Sequence, residues 1–136
     1  MIAVGASAEI SLTVRHGDTA HALSISPEET FPEVFATSRM IALMELAAAR
    51  AMRPLLQSGQ LSVGVTVNIK HTAATPAGCV VRAVATYLGP DGKLYKFKVE
   101  AFDEAGPIGE GEHTRAIIAT DRLLAGAERR RARVNE

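Results

Sequence analysis

Apolar residues fall at every second position along Leu61, Val63, Val65, Val67 and Ile69, with small or polar residues between them. That period of two predicts a strand from Leu61 to Ala73 with one apolar face, and His71 continues the face. Ala8–Val14 alternates more weakly through Ile10, Leu12 and Val14. Three more runs read as strands: Cys79–Leu88, Leu94–Phe102 and Ile108–Thr120. In the second of these, Tyr95, Phe97, Val99 and Ala101 oppose Lys96, Lys98 and Glu100. Turn formers separate the strands: Pro76-Ala77-Gly78, Gly89-Pro90-Asp91-Gly92 and Glu104-Ala105-Gly106-Pro107. The period changes once. Met40, Ile41, Met44, Ala48, Met52 and Leu55 recur at helical spacing and predict a helix over Ser38–Leu56, closed by Ser58-Gly59. Ahead of it, His16–Glu33 is a long polar loop of the kind that covers binding sites.

The order is strand, long loop, one helix, four antiparallel strands. A lone apolar helix cannot bury itself and needs a sheet around it. The class is α+β, and the pattern resembles the hotdog fold, one long central helix wrapped by a curved antiparallel sheet. The 136 residues fit one such domain, 1–136, with 121–136 as a charged tail, helical at its start and frayed at its end. Net charge is zero, which gives no reason to expect nucleic acid or an anionic membrane as partner. No apolar run approaches the roughly 20 residues of a membrane helix, and Met1–Ala6 lacks the basic stretch of an export signal. Cys79 is the sole cysteine, so neither an internal disulfide nor a cysteine-based metal site is expected. The expected setting is the reducing cytoplasm.

Three residues could carry chemistry. Glu45 is the one acid in the run Ile41-Ala42-Leu43-Met44-Glu45-Leu46-Ala47-Ala48-Ala49, at the border of the apolar stripe. A carboxylate there needs a partner, Arg39 or Arg50 being within reach, or else serves as a base or orients one. His71 ends its strand beside the small residues Thr72-Ala73-Ala74, which leave room for a substrate. A neutral imidazole there can take a proton from a hydroxyl or water. Thr37 precedes the helix, either as its N-cap or as a hydroxyl near backbone N–H groups able to hold an oxyanion. About 12 Å of helix separates Thr37 from Glu45. Gly64 breaks the valine-rich strand, as a bulge or a close approach would require. His113 and Arg115 share a face of the last strand, and Arg115 is a candidate substrate contact. His16 and His21 are expected at the surface, and Arg129-Arg130-Arg131 in a solvated tail. No metal-ligand spacing, phosphate-binding glycine loop or nucleophile elbow is present in the sequence.

Several segments closely resemble the fluoroacetyl-CoA thioesterase family of hotdog proteins: Phe31-Pro32-Glu33-Val34-Phe35-Ala36-Thr37, Met44-Glu45, Arg50-Ala51-Met52, His71-Thr72-Ala73-Ala74-Thr75-Pro76 and Gly109–Ala116. The resemblance implies Thr37, Glu45 and His71 as the catalytic set. It implies Gly64, Phe31 and Arg115 as substrate-binding residues. It further implies an acyl-CoA substrate, no metal, no cofactor beyond the coenzyme A of the substrate itself, and a homodimer or higher homo-oligomer with sites between subunits. The segment Ser26–Phe31 is acidic with a single aromatic, and Ser38 follows Thr37 where a family relative has glycine. Hydrolysis of short acyl-CoAs, fluoroacetyl-CoA among them, is therefore expected without marked selectivity. The residues leave two routes open, acyl transfer to Thr37 and direct attack by water. They also leave open a hotdog acyl-thioester hydratase or dehydratase, or a non-catalytic acyl-CoA-binding module.

Overall fold

The computed structural model describes residues 2–135. Five strands form one antiparallel sheet: β1 (Ser7–Thr13), β2 (Gln60–His71), β3 (Val80–Asp91), β4 (Leu94–Asp103) and β5 (Gly106–Ala119), in the order β1-β3-β4-β5-β2. Helix α1 (Thr37–Met52) lies against one face, and α2 (Thr120–Val134) follows the last strand. This is the hotdog fold, a single long helix wrapped by a curved sheet.

The core is the contact between that helix and the inner sheet face. Met40, Leu43, Met44, Ala47, Ala48 and Met52 of α1 are buried against Val81, Ala83 and Ala85 of β3 and Phe97, Val99 and Ala101 of β4. Register places Tyr87 opposite Phe97, Phe97 opposite His113, and His113 opposite Val67, so all four point toward the helix side. The outer face carries the charges that alternation assigned to it, with Lys96 Nζ 3.3 Å from Glu112 Oε1.

Three expectations are corrected. The run Leu61–Ile69 is not one continuous apolar face. The pairing of β2 with β5 shifts between Gly64 and Thr66, so one extra residue inverts the alternation. Val67, Ile69 and His71 share a face with Ser62 and Gly64, not with Leu61 and Val63. Second, β3 runs on through Gly89-Pro90-Asp91, and the turn tightens to Gly92-Lys93 because the register shifts after Tyr87. Third, α2 continues to Val134 rather than fraying early. The helix α1 ends at Met52 and passes into a 3-10 turn, Arg53–Leu55, where Pro54 cannot continue the α ladder.

The loop ahead of α1 is tied down at both ends. Phe35 N donates to Thr75 O at 2.8 Å, and Ala36 N donates to Asp18 O at 2.9 Å. Asp18 is buried and accepts from Arg39 Nη2 at 2.7 Å. These bonds fix the start of α1 beside the end of β2. Among the described residues no helix is long and apolar enough to cross a membrane.

Candidate active site

The N-cap of α1 is Ala36, whose extended backbone opens the helix without a side-chain cap. Thr37 is thus the first helical residue, not the cap, and its hydroxyl is free for another partner. It finds His71: Thr37 Oγ1 lies 2.8 Å from His71 Nδ1. The two elements meet there because α1 begins where β2 ends. The pair sits in a cavity of about 330 Å³ lined by Ala20, Val34, Phe35, Ala36, Thr37, His71 and Thr72–Ala74. Apart from the two polar groups and Thr72, the walls are apolar and mostly small. Burial pulls the His71 pKa below its ordinary value of 6.5, with the Ala73 backbone opposing the shift. Its other nitrogen, Nε2, is buried and makes no hydrogen bond. A neutral ring with its proton on Nε2 presents a lone pair to the threonine hydroxyl, the arrangement of a base against a nucleophile.

The first α-helical bond runs from Met40 N to Ala36 O. The amides of Thr37, Ser38 and Arg39 precede the ladder, at the end of the helix where negative charge is favoured.

Glu45 is not with this pair. It lies two helical turns further along α1, against Gly64, which is about 20 Å from His71 along the strand. Its carboxylate faces Arg115, Oε1 to Nη1 at 3.8 Å, and not Arg39 or Arg50. Arg39 is occupied by Asp18. Ala42, Glu45, Leu46, Ala49, Gly64 and Arg115 line a second cavity, also of about 330 Å³. A Cβ at position 64 would collide with Glu45 Oε1, so this glycine is a close approach as well as part of the bulge. Within one chain the sequence-derived set is thus split: Thr37 with His71, Glu45 with Gly64 and Arg115. Phe31 is on an exposed stretch of the loop and does not line the first cavity. His16 and His21 are exposed, as expected.

Sequence reasoning left the face of His113 and Arg115 undecided, and the structure turns both inward. His113 is 1% exposed and Arg115 7%. The signal available in the sequence was their position two and four residues beyond Gly111, which pairs on the inner face with Val99. Arg115 donates from Nε to Ser62 Oγ at 3.0 Å and from Nη2 to Ser62 O at 2.8 Å. Its Nη1 meets His113 Nε2 at 3.1 Å, and His113 Nδ1 meets Thr66 O at 2.8 Å. Burial lowers the His113 pKa, the Thr66 carbonyl opposes the shift, and the Arg115 charge adds to it.

Comparison with known proteins identifies the family. The family model for fluoroacetyl-CoA-specific thioesterase matches residues 14–121. The fluoroacetyl-CoA thioesterase of Streptantibioticus cattleyicolor is 41% identical over 111 residues, covering 81% of this chain and 80% of that one. A solved structure of a fluoroacetyl-CoA thioesterase superposes with a TM-score of 0.89 at 37% identity, covering 95% of this chain and 97% of the other. A thioesterase superfamily member from Thermus thermophilus also reaches a TM-score of 0.89, at 28% identity, covering 99% of this chain and 97% of that one. The fold and the extent of these matches lead to one conclusion: the chain belongs to the fluoroacetyl-CoA-specific thioesterase family of hotdog-fold acyl-CoA thioesterases.

Proposed function

We propose that this protein hydrolyses short acyl-CoA thioesters, fluoroacetyl-CoA and acetyl-CoA among them, at a site completed by a second subunit. The observation that carries the reading is the 2.8 Å contact between Thr37 Oγ1 and His71 Nδ1 inside a small cavity. His71 takes the Thr37 proton as Oγ1 attacks the thioester carbonyl carbon. The amides at the start of α1 receive the oxyanion, the C–S bond breaks, and the coenzyme A sulfur leaves with the proton from His71. A water then attacks the acyl ester with His71 again as base, releasing the acid and restoring Thr37. A water held by Thr37 and attacking the thioester directly uses the same groups. A burst of thiol equal to the enzyme concentration separates the acyl-enzyme route from the direct one when deacylation is slow.

Glu45 enters from the partner. Strand β2 is an edge, and Val65 and Val67 on it are exposed, as is Leu46 on the adjoining face of α1. An uncovered apolar edge strand is a surface that association covers. Antiparallel pairing of two β2 edges carries the Glu45–Arg115 cluster of the partner subunit toward the Thr37–His71 pocket. There a carboxylate stabilises the imidazolium formed during proton transfer. Gly64 and Arg115 then border the substrate, and Phe31 on its loop faces the entry. The lone Cys79 suits a reducing compartment, and we place the protein in the cytoplasm.

The small apolar walls favour short acyl groups. An apolar pocket separates near-isosteric groups by only about 1–3 kcal/mol, so acetyl and fluoroacetyl should differ modestly. Free-thiol release on acetyl-, fluoroacetyl- and decanoyl-CoA tests this. The two short substrates are expected to exceed decanoyl-CoA in kcat/KM. No thiol from any of them, with absorbance change on an enoyl-CoA instead, would replace hydrolysis by hydration.

A further inference from the structure

Beside Glu45, the buried side chains of His113 and Arg115 make a chain of hydrogen bonds with Ser62 and Thr66 that the reaction above does not use. Thr66 O can only accept, so the 2.8 Å contact with His113 Nδ1 requires a proton on that nitrogen. Arg115 can only donate, so the 3.1 Å contact with Nη1 requires a lone pair on His113 Nε2. The two contacts together define a single state of the ring, neutral and protonated at Nδ1. An imidazolium would set an N–H of Nε2 against the N–H of a buried cation.

The guanidinium is thereby held by three neutral acceptors: Ser62 Oγ, Ser62 O and His113 Nε2. None of them offsets its charge. The remaining charged neighbour is Glu45, whose Oε1 is 3.8 Å from Nη1, beyond hydrogen-bond length. The carboxylate feels the positive charge while its oxygens stay uncommitted. A carboxylate in the place of His113 would instead neutralise the arginine. Gly64 makes the convergence possible, since a Cβ there would collide with Glu45 Oε1 and stand 3.1 Å from His113 Cε1. The residues that face His113 from the neighbouring strands, Val67 and Thr66 on β2 and Phe97 on β4, carry no charge.

We propose that His113 is a positioning residue, a neutral imidazole that clamps the Arg115 guanidinium so that its charge lies beside the Glu45 carboxylate. The inference rests on the thioesterase reading of Glu45. Arg115 keeps its place beside the substrate through its two bonds to Ser62, so loss of the clamp is expected in kcat more than in KM.

Two variants and one spectrum test it. His113→Phe keeps the bulk and removes both hydrogen bonds. His113→Gln supplies an amide oxygen where Nε2 stood. With acetyl-CoA, His113→Phe is expected to lose about tenfold or more in kcat with KM within about twofold, and His113→Gln to recover most of the loss. Unchanged kcat in a folded His113→Phe overturns the proposal, as does an equal loss in His113→Gln. The ¹⁵N spectrum of the wild-type imidazoles should show His113 neutral and protonated at Nδ1 at pH 7, whether or not the Phe variant folds. An Nε2-protonated ring or an imidazolium contradicts the clamp. Absence of thiol release from the wild-type protein would instead overturn the thioesterase reading, while the spectrum still decides the clamp.

Discussion

At the scale of single residues, chemistry follows from what each polar side chain is left facing. Thr37 is available to His71 because Ala36, not Thr37, opens the helix. Burial lowers the His71 pKa and so favours the neutral ring, the form that accepts a proton. The acid limb of kcat should therefore lie below the ordinary histidine value of 6.5, since the enzyme loses its base only as pH falls through the lowered pKa. A kcat–pH profile checks this, and an acid limb above that value would assign it to another group. His71→Ala should reduce kcat by about 100-fold or more, the usual scale for a positioned base. Its melting temperature should stay near wild type, because the ring makes one side-chain hydrogen bond, to Thr37, that the fold can lose. Unchanged kcat in that variant would remove His71 from the mechanism.

At the scale of elements, the helix and the strands were legible in the sequence because they rest on local periodicity, whereas Thr37, Glu45 and His71 were singled out by residue type and by the family resemblance. The alternation of Tyr95, Phe97, Val99 and Ala101 against Lys96, Lys98 and Glu100 survives unchanged in β4. What periodicity cannot see is one extra residue. The bulge after Gly64 turns Val67, Ile69 and His71 inward and leaves Val65 half exposed, so the continuous valine face was an artefact of counting by two. The partner of Glu45 was also hidden, because Arg115 is distant in sequence and only sheet register brings it near. Gly64 joins these points. Gly64→Ala should displace the Glu45 carboxylate, an obstacle at the end of a flexible side chain. We expect kcat on acetyl-CoA to fall about tenfold or more while the melting temperature moves by less than about 4 °C, the response to a change below about 1 kcal/mol. Activity equal to wild type would show that the position of Glu45 does not matter to turnover.

At the scale of the whole molecule, the fold places two incomplete clusters on one chain, Thr37 with His71 and Glu45 with Arg115, at different points along β2 and α1. In the proposed dimer a second copy covers the apolar edge of β2, and antiparallel pairing joins the clusters. The central claim is that one hydrolytic site takes Thr37 and His71 from one subunit and Glu45 from the other. Mixing two inactive variants, Thr37→Ala and Glu45→Gln, under conditions that exchange subunits tests it directly. In a mixed dimer one site carries both substitutions and the other carries neither. Thiol release from acetyl-CoA should therefore reappear on mixing, toward about a quarter of the wild-type rate at random exchange of two-fold dimers. If all three residues served one site within a single chain, every site in the mixture would carry one substitution. A mixture that exchanges subunits and stays as inactive as its parents would contradict the account.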